Sequence, residues 1–121
     1  MSCVHKFLKG KNVFGWEGVF PKVLTDIGIE GATKHILIGD NENAPHYIMR
    51  YFRLDPHGHS KLERHPQEHE VIVLNGMGRV QIGEEFHDLS PMDVVYIQPN
   101  ELHQFSNTGK EPFGFICVIP K

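Results

Sequence analysis

Several things are missing from this chain, and each absence narrows its class. No apolar run approaches the roughly 18 residues that a membrane-spanning helix needs, and the N-terminus carries no signal-peptide apolar core. The expectation is a cytoplasmic protein without a membrane partner. Cysteines are scarce: only two, Cys3 and Cys117, stand far apart in sequence, which favours separate reduced thiols over a disulfide. Cys117 lies inside the apolar run Phe115–Ile119 and reads as a small buried hydrophobe. Basic clusters are missing too. Lys6, Lys9 and Lys11 are scattered and the formal net charge is -3, so no nucleic-acid surface is expected. No segment shows a long helical period. Finally, 121 residues leave no room for a second core, so residues 1–121 are expected to form one domain.

What is present is punctuation and short apolar runs. Twelve glycines and eight prolines separate segments rich in Val, Ile, Phe and Tyr, and the spacing predicts strands over Thr33–Ile38, Tyr47–Leu54, Glu70–Leu74, Met77–Ile82, Val94–Gln98 and Phe113–Ile119. Turn signals lie between them at Gly39-Asp40-Asn41, Asp55-Pro56-His57-Gly58, Asn75-Gly76, Gly83-Glu84 and Asn107-Thr108-Gly109. Asn75-Gly76, between two apolar runs, is the strongest hairpin signal. Short strands with frequent turns argue an all-β jelly-roll sandwich or barrel. The first 30 or so residues fit no repeat. Phe14, Trp16, Val19, Phe20 and Val23 read as an arm laid over a sheet or over a partner subunit, and such apolar surface argues a homodimer.

Nine histidines are the unusual count. The stretch Glu63-Arg64-His65-Pro66-Gln67-Glu68-His69-Glu70 holds three potential metal ligands, Glu63, His65 and His69, at spacings of two and four, just before the apolar run Val71–Leu74. In extended chain, residues two apart face one side, so Glu63 and His65 can reach a common atom and His69 keeps their parity. His103 must be brought alongside by the fold. Imidazole and carboxylate suit first-row divalent metals.

The segments Gly58–Gly76 and Met92–Asn107 resemble the paired signature motifs of the cupin family, G-x5-H-x-H-x3,4-E-x6-G and G-x5-P-x4-H-x3-N. With Glu63 in the first His slot, His65 fills the second, His69 takes the Glu slot, and the spacing lands on Gly76. The competing register, His65 with Gln67, fails twice. His103 and Asn107 match the second motif in type and spacing. Pro99 falls one place late, Met92 replaces a glycine, and Gly58 stands one residue too near. The resemblance covers about residues 45–120, with an arm over about 1–30. It implies a double-stranded β-helix barrel holding one divalent transition metal (Fe, Mn, Ni, Co or Zn) on Glu63, His65, His69 and His103. The alternative for Glu63 is a surface carboxylate facing Arg64 or Lys61, leaving three histidines and water.

Other side chains carry weaker signals. His57 and His59 flank Gly58 without the motif spacing and read as surface residues. His5, His35, His46 and His87 have no companion at ligand spacing and read as solvated or packing residues. Arg50 and Arg53 face opposite sides of one strand, so at most one points inward, where it would bind a carboxylate or enolate; an exterior Arg is the expectation for either alone. Phe105 shares parity with His103 and should wall the site, whereas Phe86, Tyr96, Phe113 and Phe115 read as core or dimer contacts. Glu68 reads as exterior, Glu70 is left open, and Asn107 reads first as a turn residue. The function class implied is a metal-dependent enzyme acting on a small oxygenated molecule, either oxygenase-like (an oxidoreductase) or a metal-assisted isomerase or lyase. A non-catalytic small-ligand-binding or sensor protein with a structural metal is the alternative.

Overall fold

A computed structural model of the chain describes residues 2–10 and 13–121. The described residues form strands β1 (Phe7–Lys9), β2 (Phe14–Trp16), β3 (Lys22–Leu24), β4 (Glu30–Ile38), β5 (Tyr47–His59), β6 (His69–Asn75), β7 (Gly78–Ile82), β8 (Glu85–Leu89), β9 (Val94–Ile97), β10 (His103–Asn107) and β11 (Phe113–Pro120). A 3-10 turn at Asp40–Glu42, between β4 and β5, supplies the helix among them. The barrel is one curled antiparallel sheet in the order β8-β7-β10-β5-β11-β6-β9, extended by β4 on β5 and β3 on β4, with β1 and β2 paired apart. No helix among the described residues is long and apolar enough to cross a membrane.

Strand alternation decides what faces inward. In β6 the buried positions are His69, Val71 and Val73, and in β10 they are His103, Phe105 and Asn107, the period of two that a half-buried strand imposes. Phe105 of β10 stacks on Phe115 of β11 at 4.5 Å although these strands do not pair, and Phe115 also meets Phe52 of β5 at 5.6 Å. The sheet is therefore curled so that inward side chains of strands on either side of β5 meet, and Leu54, Val71, Val73, Val80, Leu89 and Ile97 complete a single core. Each such fully buried side chain contributes about 1.5–3 kcal/mol relative to exposure.

Two turn readings are corrected. Asn75-Gly76 is not a hairpin: β6 pairs with β11 and β9, whereas β7 pairs with β10 and β8. Gly76 instead carries the chain across from one set of strands to the other. Its φ is 78°, and a Cβ there would run into the carbonyl of Pro112, so close backbone approach rather than a hairpin calls for glycine. Asn75 accepts from Tyr51 Oη at 2.7 Å and donates to Pro112 O at 3.0 Å, tying that crossing down. The tight hairpin is at Gly83-Glu84, where Ile82 faces Glu85. Asp55-Pro56-His57-Gly58 does not end a strand either. It lies within β5, which pairs with β11 as far as Leu54 and with β10 at His59. His57 (φ 68°) absorbs the irregularity as a bulge does.

The arm lies, in part, over this chain's own sheet. Trp16 packs 5.1 Å from Tyr51 and 6.0 Å from His35, and Phe14 stacks on Tyr51 at 5.8 Å. Tyr51 is fully buried as a result and its phenol is pushed up to about 12 by desolvation. Phe20 and Val23 remain exposed.

Candidate metal centre

His69 begins β6 and His103 begins β10, both on the inward parity, while Glu63 forms an isolated antiparallel bridge with His103. That bridge (Glu63 N–H to His103 O at 3.1 Å, His103 N–H to Glu63 O at 2.9 Å) ties the segment before β6 to β10 and carries His65 into place. The rings of His65, His69 and His103 then form a near-equilateral triangle with centroids 4.7, 4.8 and 4.9 Å apart, each ring edge-on to the next. One nitrogen from each lies within 4.8 Å of the others. Glu63 lines the same cavity, of about 530 Å³, outside that triad of nitrogens.

The proton arrangement follows from the partners. His103 Nδ1 lies 2.8 Å from Glu101 O; a carbonyl only accepts, so Nδ1 carries the proton and Nε2 keeps its lone pair. His69 Nε2 faces His65 Nε2 at 2.9 Å, and its Nδ1 faces Cys117 Sγ at 2.9 Å. Burial first, then the neighbouring His103 and Arg50, hold His69 down to about 3, and burial likewise lowers His103. Both are neutral at physiological pH, as ligation requires. Neutral imidazoles that crowd their nitrogens together, one of them oriented by a backbone carbonyl, fit a divalent transition metal. The donor set fits without fixing which metal.

The cavity also collects cations. Arg50 points inward, which corrects the exterior reading: its Nη2 donates to Cys117 Sγ at 3.2 Å and its guanidinium lies 4.8 Å from the Phe52 ring centre. Its buried Nε has no hydrogen-bond partner. Lys34 lines the same cavity, its ammonium destabilised by burial first and then by Arg50. Among the described residues neither has a carboxylate within ion-pair distance. Arg53 faces the other way, donating to Thr33 Oγ1 at 3.2 Å.

The matching family is Cupin_2, a cupin domain, over residues 50–119. The chain belongs to the cupin family. It is 39% identical over 71 residues to a 1-methylthio-D-xylulose 5-phosphate methylsulfurylase from Rhodospirillum rubrum, covering 59% of this chain and 46% of that protein. It is 32% identical over 75 residues to a glucose-6-phosphate isomerase from Thermococcus litoralis, covering 58% and 38%. The chain thus spans less than half the length of these curated relatives. Among solved structures, a cupin-2 domain from Rhodospirillum rubrum superposes with a TM-score of 0.84 at 30% identity, over 94% of this chain and 77% of that one.

Within this cupin, the remaining sequence candidates divide cleanly. His57 is exposed, and His59 Nδ1 turns to Ser60 O at 2.9 Å, away from the triad. Glu68 is exterior, accepting from Tyr96 Oη at 2.8 Å, and Glu70 is exposed. Asn107 ends β10 and its side chain ties down the turn that follows: Oδ1 accepts from Gly109 N–H at 2.8 Å, and Nδ2 donates to Glu111 O at 2.8 Å. Phe105 walls the cavity; so does Phe115, while Phe113 is core and Phe86 and Tyr96 are exposed. His35 is a buried packing residue whose pKa is lowered by desolvation. Sequence reasoning missed that Arg50 and Cys117 meet. They are direct partners in the β5–β11 ladder, so pairing those two strands first would have placed both on the His69 side.

Proposed function

We propose that this cupin is a metal-dependent enzyme of the isomerase or lyase kind, acting on a small phosphorylated keto or hydroxy compound. One divalent metal would be held by His65, His69 and His103, with Glu63 as a fourth ligand from the same wall. The observation that carries this reading is the pairing, in one cavity, of three convergent imidazoles with Arg50 and Lys34, neither of which has a carboxylate within ion-pair distance among the described residues. A half-buried guanidinium without a counter-ion is costly, and its planar donors match phosphate or carboxylate oxygens bidentately. Both curated relatives are named for phosphorylated sugars, which supports the phosphate over the carboxylate.

A bound metal would supply Lewis acidity to a carbonyl or hydroxyl oxygen. The chain's own part would be to hold the anionic end on Arg50 and Lys34, and to keep water from the reacting carbons with Phe52, Phe105 and Phe115. The test is exchange of carbon-bound protons with deuterated water, followed by NMR, for ketose phosphates and their dephosphorylated forms. Exchange or turnover confined to phosphorylated compounds, and lost in His103→Ala, is the expected result. Equal reaction of both forms would remove the anion reading, and no exchange or product with metal-loaded protein would remove the enzyme reading. For the assembly we propose a homodimer that covers the exposed Phe20 and Ile27 of the arm; sedimentation of a monomer at high concentration would count against it.

A further inference from the structure

A second constellation of metal-ligand types lies outside the cavity. Cys3 Sγ, a ring nitrogen of His5 and a carboxylate oxygen of Glu42 lie within 4.8 Å of one another, and none of the three lines the cavity of His65, His69 and His103. Cys3 and His5 belong to the start of the arm. Glu42 ends the 3-10 turn of the barrel, nearly 40 residues later in sequence.

Two of these side chains are oriented by bonds that leave their free atoms facing each other. His5 Nδ1 lies 2.8 Å from Glu17 O, so that nitrogen is the proton donor and Nε2 is the atom turned outward. Glu42 Oε1 accepts from Gly39 N–H at 2.7 Å, which leaves Oε2 to pair with His5 Nε2 at 3.0 Å. Cys3 Sγ lies 3.9 Å from the same Nε2. An imidazole anchored by a backbone carbonyl through its other nitrogen is the usual setting of a metal-binding histidine. Tetrahedral zinc with ordinary bond lengths places N and O ligands about 3.3 Å apart and S and N ligands about 3.6 Å apart. The observed separations bracket those values, and Cys3 is exposed and free to close the remaining gap.

We propose that Cys3, His5 and Glu42 form a second metal site, for zinc or a similar borderline ion, that staples the arm to the barrel. Thiolate, imidazole and carboxylate would occupy three positions of a tetrahedron, with water in the fourth. On binding, the Cys3 thiol gives up its proton, and any proton on His5 Nε2 is displaced. In the metal-free form His5 and Glu42 remain as an ion pair at 3.0 Å. The staple holds residues 3–5 at the 3-10 turn, while Phe14 and Trp16 of the same arm lie on Tyr51. Its loss would loosen the arm without touching the cavity.

The site is read with untagged full-length protein titrated with Co²⁺ and Zn²⁺. Wild type should show a near-ultraviolet thiolate-to-cobalt absorption that vanishes in Cys3→Ser and persists in Cys117→Ser. Cys3→Ser and Glu42→Gln should each bind one zinc equivalent fewer per chain than wild type, with unchanged circular dichroism. His65→Ala/His103→Ala should keep the thiolate band, which separates this site from the cavity site. A band that survives Cys3→Ser, or unaltered zinc stoichiometry in both single variants, would overturn the proposal whatever the cavity binds.

Discussion

The two faces of β5 differ in kind. On the inner face, Arg50, Phe52 and Leu54 look into the cavity, and polar groups there are held neutral or left without counter-ions. On the outer face, Tyr51 is sealed under Phe14 and Trp16, with His35 beside it and Arg53 bonded to Thr33. Successive residues of one strand thus serve opposite ends. Each face leaves two buried polar atoms without a hydrogen-bond partner, His35 Nδ1 and Arg53 Nε outside, Arg50 Nε and His65 Nδ1 inside. The difference is that Arg53 has the Asp55 carboxylate at 3.6 Å, whereas the inner groups border an open cavity where three ring nitrogens converge. Unpaired polar atoms that also border a cavity mark where a ligand belongs.

The largest effect expected is on the inner face. His103→Ala should weaken cavity metal binding by more than about 100-fold, since even indirect partners of ligand histidines are worth about 10–100-fold. Glu63→Gln should weaken it less, and His59→Ala should leave it unchanged; isothermal titration on the Cys3→Ser background measures all three. Next comes the outer face: Trp16→Ala should lower unfolding stability by about 2 kcal/mol, below the range for a fully buried Trp because this one is half-buried. Cavity metal affinity should stay unaltered. If Trp16→Ala empties the cavity, the two faces are not independent.

Arg50→Gln should cost about tenfold in affinity for a phosphorylated ligand, the scale of one charged hydrogen bond, while the unfolding midpoint holds or rises as an unpaired charge leaves the interior. The smallest effect is a pH dependence shared by both faces. His35, His69 and His103 are all lowered by burial, so the unfolded chain binds protons near pH 6.5 that the folded chain refuses. Metal-free protein should keep full stability above about pH 6.5 and lose it progressively on acidification, toward the value of about 3 for His69. Urea midpoints at several pH values check this, and His35→Gln should shallow the slope without abolishing it.

The barrel and most of its strands were legible because alternation and turn chemistry are local. β10 was not named as a strand, since His-Gln-Phe-Ser-Asn carries little apolar signal; its parity was still readable from His103 and Phe105. The turns misled where glycine served close approach rather than reversal. Gly76 abuts Pro112, and Gly58 sits against the backbone of Glu30 and Gly31; no local pattern separates these uses from a hairpin. The histidine triad was legible through spacing and resemblance together. Arg50, Lys34 and Cys117 were not assigned to the cavity, and the companions of His5 were not seen, because their neighbours are distant in sequence.

The central claim is that His65, His69 and His103 hold a metal ion, and elemental analysis tests it most directly. Untagged Cys3→Ser protein, purified without added metal, should carry about one equivalent of a first-row transition metal per chain, and the same protein with His65→Ala/His103→Ala should carry none. Metal-free Cys3→Ser protein that also fails to take up Mn²⁺, Fe²⁺, Co²⁺, Ni²⁺ or Zn²⁺ would contradict the account.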